Sequence, residues 1–406
     1  MAVGSFSRDF NVVPGVRLSA CGCGIKGGAE NQDVADLVLF EFADATITVG
    51  IFTKNLFAAA PVAVGKRHLG MTNPTRFLVN SGNANAGVGE VGIVDALTCC
   101  KAVSQMSGVR PEAVIPFSTG VIGERLPVAK ITNALDELIS GLAEENWLEA
   151  AYGIMTTDTQ PKIATRQRTI NGEIITVTGI AKGSGMIQPN MATMLSYIAS
   201  DVTATEATLK ACLASAGDKS FNRITVDSDT STNDSCMLSA TGVSTVDIDI
   251  DKQARDQFTE MLDEVCLELA QGIIRDGEGA TKFVAVEIGT GESRSDCLNI
   301  AYAIANSPLM KTALFASDAN WGRLVMAIGK APVDIDVNML DIFLGDVQLM
   351  SKGQKALNYT EKAGSDVMAE EEILIRVELN AGNIRETVWT SDLSHEYVRI
   401  NAEYRT

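Results

Sequence analysis

The run KGSGMIQPNMATMLSYIASD, residues 182–201, delivers one threonine, Thr193, between Ala192 and Met194. Small residues precede it, and a strand-like run follows. A threonine hydroxyl can attack the carbonyl before it and move the acyl group from nitrogen to oxygen. Hydrolysis of the resulting ester frees the Thr193 amine. An α-amino group ionises at about pH 7.7–8.0, so it can serve as base for its own hydroxyl. Such a site needs no histidine, and the chain has only two, His68 and His395. Two plainer readings compete: a buried threonine at the start of a strand, and a phosphate nest at Lys182-Gly-Ser-Gly. The GxxxxGK[ST] spacing of a P-loop is missing.

Three other runs join strands to small-residue loops: NSGNANAG (80–87), STGVIG (118–123) and MTTDTQPK (155–162). Backbone N–H groups in such loops can bind an anion or a developing oxyanion. Thr119-Gly120 is a candidate because glycine lets the backbone approach closely. Taken singly, each run also reads as a tight turn.

These loops need strands and helices to hold them. Strands are expected at 36–53 (two, around a turn at Ala43-Asp44), leading into loops over 76–87 and 113–120, and at 173–181, 194–201 and 236–244. Others follow at FVAVEIG and near 332–350, 371–379 and 386–390. Helices are expected at 94–106, 128–154 (broken near Gly141), 205–215, 252–275 and 294–306. Alternation of this kind predicts an α/β or α+β chain with mixed sheets, several of them hairpin-built.

Composition narrows the function. The 406 residues suffice for two or three domains. A net charge of −18 argues against nucleic acid as a partner. No apolar run approaches a membrane span, and the N-terminus lacks a secretory pattern, so a cytoplasmic protein is expected. Cys21/Cys23 and Cys99/Cys100 stand too close for a disulfide framework, and no CxxC occurs, so reduced, buried thiols are expected. Two histidines argue against a His-rich metal site.

The sequence resembles the ornithine acetyltransferases, the glutamate N-acetyltransferases of arginine synthesis. The likeness runs through VNSGNANAG, PFSTGVIGE, IMTTDTQPK, the opening run, ITVDSDTSTNDS, RDGEGATKF and YVRINAEYRT, in that order. It implies self-cleavage between Ala192 and Thr193. The products are an α chain, 1–192, carrying the oxyanion and binding loops, and a β chain, 193–406, with a smaller C-terminal α/β domain from about 285. The implied nucleophile is Thr193 and the oxyanion pair is Thr119 and Gly120. The implied substrate-binding residues are Thr156 (with Thr157 or Thr159 as alternatives), Lys182, Thr193, Glu278, Asn401 and Thr406. Lys182 can meet a carboxylate and Glu278 an ammonium. On residue type alone, both charges would be assigned to a solvated surface.

The implied fold is α+β, a four-layer αββα sandwich of mixed sheets, like N-terminal-nucleophile hydrolases but differently connected. The implied reaction is ping-pong transfer of acetyl from N-acetylornithine to glutamate through acetyl-Thr193. No metal or tightly bound cofactor is implied. Some members also use acetyl-CoA as a substrate, and no residue here separates the two cases. Implied partners are the small-molecule substrates, the two chains of one precursor and a homo-oligomer of αβ units, with no nucleic acid and no membrane. Two departures stand out: ASDANWGR at 316–323 and Val88 after NANAG. Rival readings are a related self-cleaving aminopeptidase or amidohydrolase, and a non-cleaving binder of acetylated amino acids.

Overall fold

The computed structural model describes residues 2–26, 34–188 and 194–403; Ala192, Thr193 and Thr406 lie outside the described residues. The chain begins with β1 (Val16–Cys21), β2 (Leu37–Phe42), β3 (Ile47–Phe52), α1 (Ala60–Leu69), β4 (Arg76–Asn83), α2 (Glu90–Ser107) and β5 (Val114–Val121). Then come α3 (Val128–Asn133), α4 (Leu135–Ser140), α5 (Trp147–Gly153), β6 (Lys162–Ile170), β7 (Glu173–Lys182), β8 (Leu195–Ser200) and α6 (Glu206–Lys219). Next are β9 (Ile224–Thr225), β10 (Ser235–Ala240), α7 (Lys252–Arg275), β11 (Phe283–Gly291), α8 (Arg294–Ala305), α9 (Pro308–Phe315) and α10 (Trp321–Gly329). Last are β12 (Asp341–Leu344), β13 (Val347–Ser351), β14 (Gln354–Lys355), α11 (Glu361–Ala369), β15 (Glu372–Glu378), β16 (Ile384–Ser391) and α12 (His395–Ala402).

The chain divides into two units. The larger holds Phe6–Asn222 and Asp229–Ile273; the other holds Met1–Ser5, Arg223–Ser228 and Ile274–Thr406.

In the larger unit, one sheet has the order β1-β2-β4-β5 and a second has β3-β10-β8-β7-β6. Both are mixed: β4 runs parallel to β5, and β8 to β10, while their other pairings are antiparallel. Side chains alternate along a strand, so β2 feeds two cores. Val38, Phe40 and Phe42 enter the core between the sheets, with Phe77, Phe117, Tyr197 and Met237. Leu37 and Leu39 face the other way, against Cys99, Cys100 and Val103 of α2 and Leu135 and Leu138 of α4. Within the inter-sheet core, Tyr197 lies 4.9 Å from Phe40 and 5.0 Å from Phe117, centroid to centroid. Such pairs add about 0.5–1.5 kcal/mol each beyond the area they bury.

The second sheet's outer face is covered by α6 and α7. Phe258, Met261, Leu262, Val265, Leu269 and Ile273 of α7 are all buried, at the three- and four-residue spacing of an amphipathic helix. Gly179 of β7 leaves room for Val265 and Leu269. The unit is therefore the expected four-layer αββα sandwich.

Three details differ from expectation. β2 and β3 do not form a hairpin: β1 and β4 already occupy both edges of β2, so the turn passes the chain to the second sheet. β6 is a strand although Arg166 and Arg168 break its apolar pattern. Both arginines reach out from this edge strand to Glu264 of α7 at 2.6 Å. β5 runs on through Thr119 and Gly120 instead of ending before them.

The other unit has one sheet, ordered β14-β13-β12-β15-β11-β16-β9. Val284, Val286 and Ile288 of β11 pack with Ile300 and Ile304 of α8 and Leu324 and Ile328 of α10. Of the region near 332–350 expected as strand, the later half is the β12–β13 hairpin, whereas the earlier half holds a 3-10 turn, Val337–Met339. Pro332 lacks a ladder N–H, and Asp336 caps the turn by accepting from Asn338 N at 3.0 Å.

Candidate active site

β4 and β5 run in parallel register until Gly82–Asn83, where the register shifts and Thr119 faces both Ser81 and Asn83. The shift brings the two backbones together. Gly120 has φ +131°. A Cβ there would press on the Gly82 carbonyl carbon and lie 2.6 Å from Asn83 N. Only glycine fits.

The polar side chains of NSGNANAG hold this bulge. Asn80 Nδ2 donates to Asn83 O at 2.8 Å, and Asn85 Nδ2 donates to Gly92 O at 3.0 Å. Ser118 Oγ donates to Asn80 Oδ1 at 2.6 Å. From the later STNDS run, Asn233 Nδ2 donates to Ala84 O at 2.7 Å and Ser118 O at 2.8 Å. The amide groups of Asn80, Asn85 and Asn233 thus donate to backbone carbonyls, while Asn85 Oδ1 is buried with no partner among the described residues.

Lys182 ends β7 and is 5% exposed. Its ammonium donates to Thr119 Oγ1 at 3.4 Å. Beside it, the buried carboxylate of Asp158 ties two turns together. Oδ1 accepts from Lys162 Nζ at 2.6 Å and Gly183 N at 2.7 Å; Oδ2 accepts from Thr156 N at 2.9 Å. Burial opposes the charge on Asp158. The ammonium groups of Lys162 and Lys182, with the bonds from Lys162 and Thr156 N–H, outweigh it and hold the pKa well below the usual range. Thr157 Oγ1 is bonded to Ser184 Oγ at 2.6 Å, whereas the Thr156 hydroxyl has no partner among the described residues.

Two more ionisable groups adjoin these turns. Lys26 Nζ donates to Ala35 O at 3.1 Å, and burial pushes its pKa down to about 8 against the pull of Asp36 and Asp158. Asp234 Oδ1 accepts from Met194 N at 3.0 Å. Burial raises the Asp234 pKa well above the usual carboxyl range, although Met194 N–H and Lys182 pull it down.

In the other unit, Glu278 is 9% exposed and accepts from Asn401 Nδ2 at 2.7 Å. The DGEGA loop lies close under α12. A Cβ on Gly279, whose φ is +69°, would meet Tyr397 N at 2.5 Å. Ser394 Oγ donates to Gly279 O at 2.6 Å and caps α12. Asp392 accepts from Thr281 N and Oγ1, both at 2.7 Å. The end of the chain is thus fastened down as far as α12. His395 meets Phe315 edge-on, and His68 is buried with Nδ1 2.7 Å from Val114 O, so both histidines have structural settings.

The structure joins Thr119, Gly120, Lys182 and the 156–158 turn in one unit, and Glu278 with Asn401 in the other. The surface reading of Lys182 and Glu278 is overturned by their burial. The predicted nucleophile and cleavage point, Thr193 and Ala192, and the terminal Thr406 lie outside the described residues. Sequence reasoning missed Asp158, Lys162 and Asp234. Each lies in or beside a run that had been singled out, but as a charge among threonines and asparagines it gave no periodic signal. Among the described residues no group of three or more His, Cys, Asp or Glu is placed to hold a metal. None of the described helices is long and apolar enough to cross a membrane.

Residues 17–406 match the ArgJ family. The chain belongs to that family. It is 52% identical over 400 residues to the arginine biosynthesis bifunctional protein ArgJ of Pseudomonas syringae pv. tomato, covering 97% of each. It is 50% identical over 399 residues to the protein of the same name from Pseudomonas fluorescens, again covering 97% of each. A solved ArgJ structure from Bacillus halodurans is 33% identical, covering 50% of this chain and 96% of that one with a TM-score of 0.48.

Proposed function

We propose that this ArgJ-family acyltransferase moves acetyl from N-acetylornithine to glutamate by a ping-pong route, and also makes N-acetylglutamate from acetyl-CoA. What carries this reading is half-identity over nearly the whole length to proteins named as bifunctional in arginine biosynthesis. That word also favours the second activity.

In this mechanism the chain cuts itself at Ala192–Thr193, and the Thr193 hydroxyl attacks the acetyl carbonyl with its own amine as base. Thr119 and the Gly120 N–H receive the oxyanion, which the glycine-only bulge supports by fixing both in place. The amine departs, and acetyl-Thr193 remains. Glutamate then attacks the ester, and the same pair receives the second oxyanion. Lys182 binds a substrate carboxylate. Thr156, whose hydroxyl is unengaged among the described residues, adds a hydrogen bond. Glu278, steadied by Asn401, takes a substrate ammonium, and Thr406 completes the binding set. No tightly bound cofactor takes part, and acetyl-CoA enters as a substrate. The working form is an oligomer of αβ units in the cytoplasm.

The test is the intact mass of the purified protein beside Thr193→Ala, followed by acetyl-transfer assays with and without acetyl-CoA. Two fragments summing to the chain plus one water, with the variant whole, support the reading. An uncut wild-type chain sinks the nucleophile. Free acetate released without glutamate points to a hydrolase instead.

A further inference from the structure

The chain leaves the larger unit at Arg223 and returns to it at Asp229. In between it adds β9 to the edge of the other unit's sheet, against β16. Arg223 Nη1 donates to Glu386 Oε2 at 2.5 Å, and Thr225 Oγ1 donates to Asn306 Oδ1 at 2.6 Å. Asp227 follows, and the chain turns at Ser228, whose φ of +67° is uncommon for a residue with a side chain. Asp227 Oδ2 accepts the Tyr397 hydroxyl of α12 at 3.2 Å. That helix needs outside contacts. It has 8 residues, none of them buried, with Tyr397 and Ile400 half-buried. A helix this short has little stability of its own, so polar contacts must set its place. Ser394 and Asp392 fasten the chain at its start. Tyr397 and Asn401 stand four residues apart and share one face. Asn401 Nδ2 donates to Tyr397 O at 3.0 Å and to Glu278 Oε2 at 2.7 Å. A run of bonds therefore leads from Asp227 through Tyr397 and Asn401 to Glu278.

We propose that Tyr397 is a positioning residue for the substrate ammonium: anchored on Asp227, it sets α12 over the DGEGA loop so that Asn401 aims Glu278. This deepens, and rests on, the reading of Glu278 as the ammonium's partner. The geometry leaves little slack. A Cβ on Gly279 would lie 2.5 Å from Tyr397 N, so helix and loop meet at backbone level directly beside Glu278. Without the hydroxyl bond, α12 is pinned at its start and its last turn is held chiefly by Asn401. Glu278 then shifts with the helix. N-acetylornithine carries one ammonium, on its side chain, because its α-nitrogen is acylated. The effect therefore falls on binding of that side chain and spares the acetyl carbonyl.

The test compares two acetyl donors with glutamate as acceptor: N-acetylornithine, and N-acetylnorvaline, which has the same carbon chain without the amine. Tyr397→Phe keeps the ring and removes one oxygen. It should raise KM for N-acetylornithine about fivefold, the scale of one net hydrogen bond, and leave kcat within about twofold. kcat/KM for N-acetylnorvaline should not change, so the preference for the ammonium-bearing donor falls by the same factor. Asp227→Ala removes the bond from its other side and should act alike; it carries the test if Tyr397→Phe does not fold. The double variant should lose no more than either single one. Asp227→Asn keeps an acceptor and should stay near wild type. Equal losses with both donors, a fall in kcat with KM unchanged, or additive losses overturn the positioning role. Glu278→Gln separates the two claims. If it leaves the donor preference at the wild-type value, the ammonium reading fails. If it abolishes the preference while Tyr397→Phe keeps it, only the role of Tyr397 fails.

Discussion

Replacing Asp158 by asparagine removes one charge and almost no volume. The carboxylate lies 2.6 Å from Lys162 Nζ, and the two side chains are 0% and 1% exposed. It also accepts the Gly183 and Thr156 N–H groups. Asparagine keeps one acceptor oxygen but turns an NH2 toward a neighbour that needs an acceptor, and the Lys162 ammonium loses its carboxylate. Removing one partner of a buried pair costs about 3–5 kcal/mol, mostly from the stranded charge. Urea unfolding at pH 7, followed by the fluorescence of Trp147, which is fully buried in the same unit, should show a loss of that size. The pH dependence gives a second check. The folded pKa of Asp158 is depressed, so its stabilisation is present above the unfolded value of about 3.9 and is lost as pH falls toward the folded value. The gap between wild type and variant should therefore be constant from pH 5 to 7 and shrink below about pH 4. Adding Lys162→Met should recover part of the loss. A variant within about 1 kcal/mol of wild type at pH 7, or a gap that widens in acid, would refute the reasoning.

Gly120→Ala must force the Gly82–Asn83 step open, and kcat for acetyl transfer should drop roughly 100-fold, the scale of a lost oxyanion donor; stopped-time assays of N-acetylglutamate check this. Asn401→Ala frees Glu278 from its 2.7 Å bond, and KM for N-acetylornithine should rise about tenfold with kcat changed less, consistent with the value of a hydrogen bond to a charge. Lys311 is buried against Thr390 Oγ1 at 2.9 Å, and burial lowers its pKa to about 8. The unfolded chain then binds more protons between about pH 8 and 10, so wild type should gain about 2 kcal/mol relative to Lys311→Met across that range, measured by denaturant titration. Burial raises the pKa of Cys99 to about 12 and raises that of Cys100 as well, so neither thiol should react with a disulfide reagent until the protein unfolds.

Legibility in the sequence followed periodicity. The helix expected at 252–275 is α7 to the residue, because its buried positions repeat every three or four. Sheet membership was not legible. Nothing in DLVLFEFADATITVGIFT says that β2 is already flanked on both edges and that β3 must join a strand nearly 190 residues away. β6 escaped notice because its outward arginines answer glutamates on α7, a pairing that exists only after folding. At the site, motif likeness marked the loops, yet local chemistry could not tell scaffold from contact. The asparagines of NSGNANAG look like ligand-binding groups and instead brace Gly120. Lys182 and Glu278 look like surface charges and are buried. Asp158 and Asp234 stand out only when their donors and solvent exposure are known.

The second sheet has a consequence for the protein's life after synthesis. β7 and β8 pair antiparallel from Val177↔Ser200 to Lys182↔Leu195, and β3 pairs with β10 from Ile47↔Ala240 to Phe52↔Ser235. Each ladder joins one strand from before residue 192 to one from after it. A cut at the proposed bond leaves both ladders intact but removes the tether that made their assembly unimolecular. The uncut chain folds at any dilution. The cut protein, once unfolded, must find its other half by collision, so refolding becomes second-order and slows as concentration falls. Cleavage would then turn a reversible fold into one whose persistence depends on never opening fully, with its lifetime set by the unfolding rate.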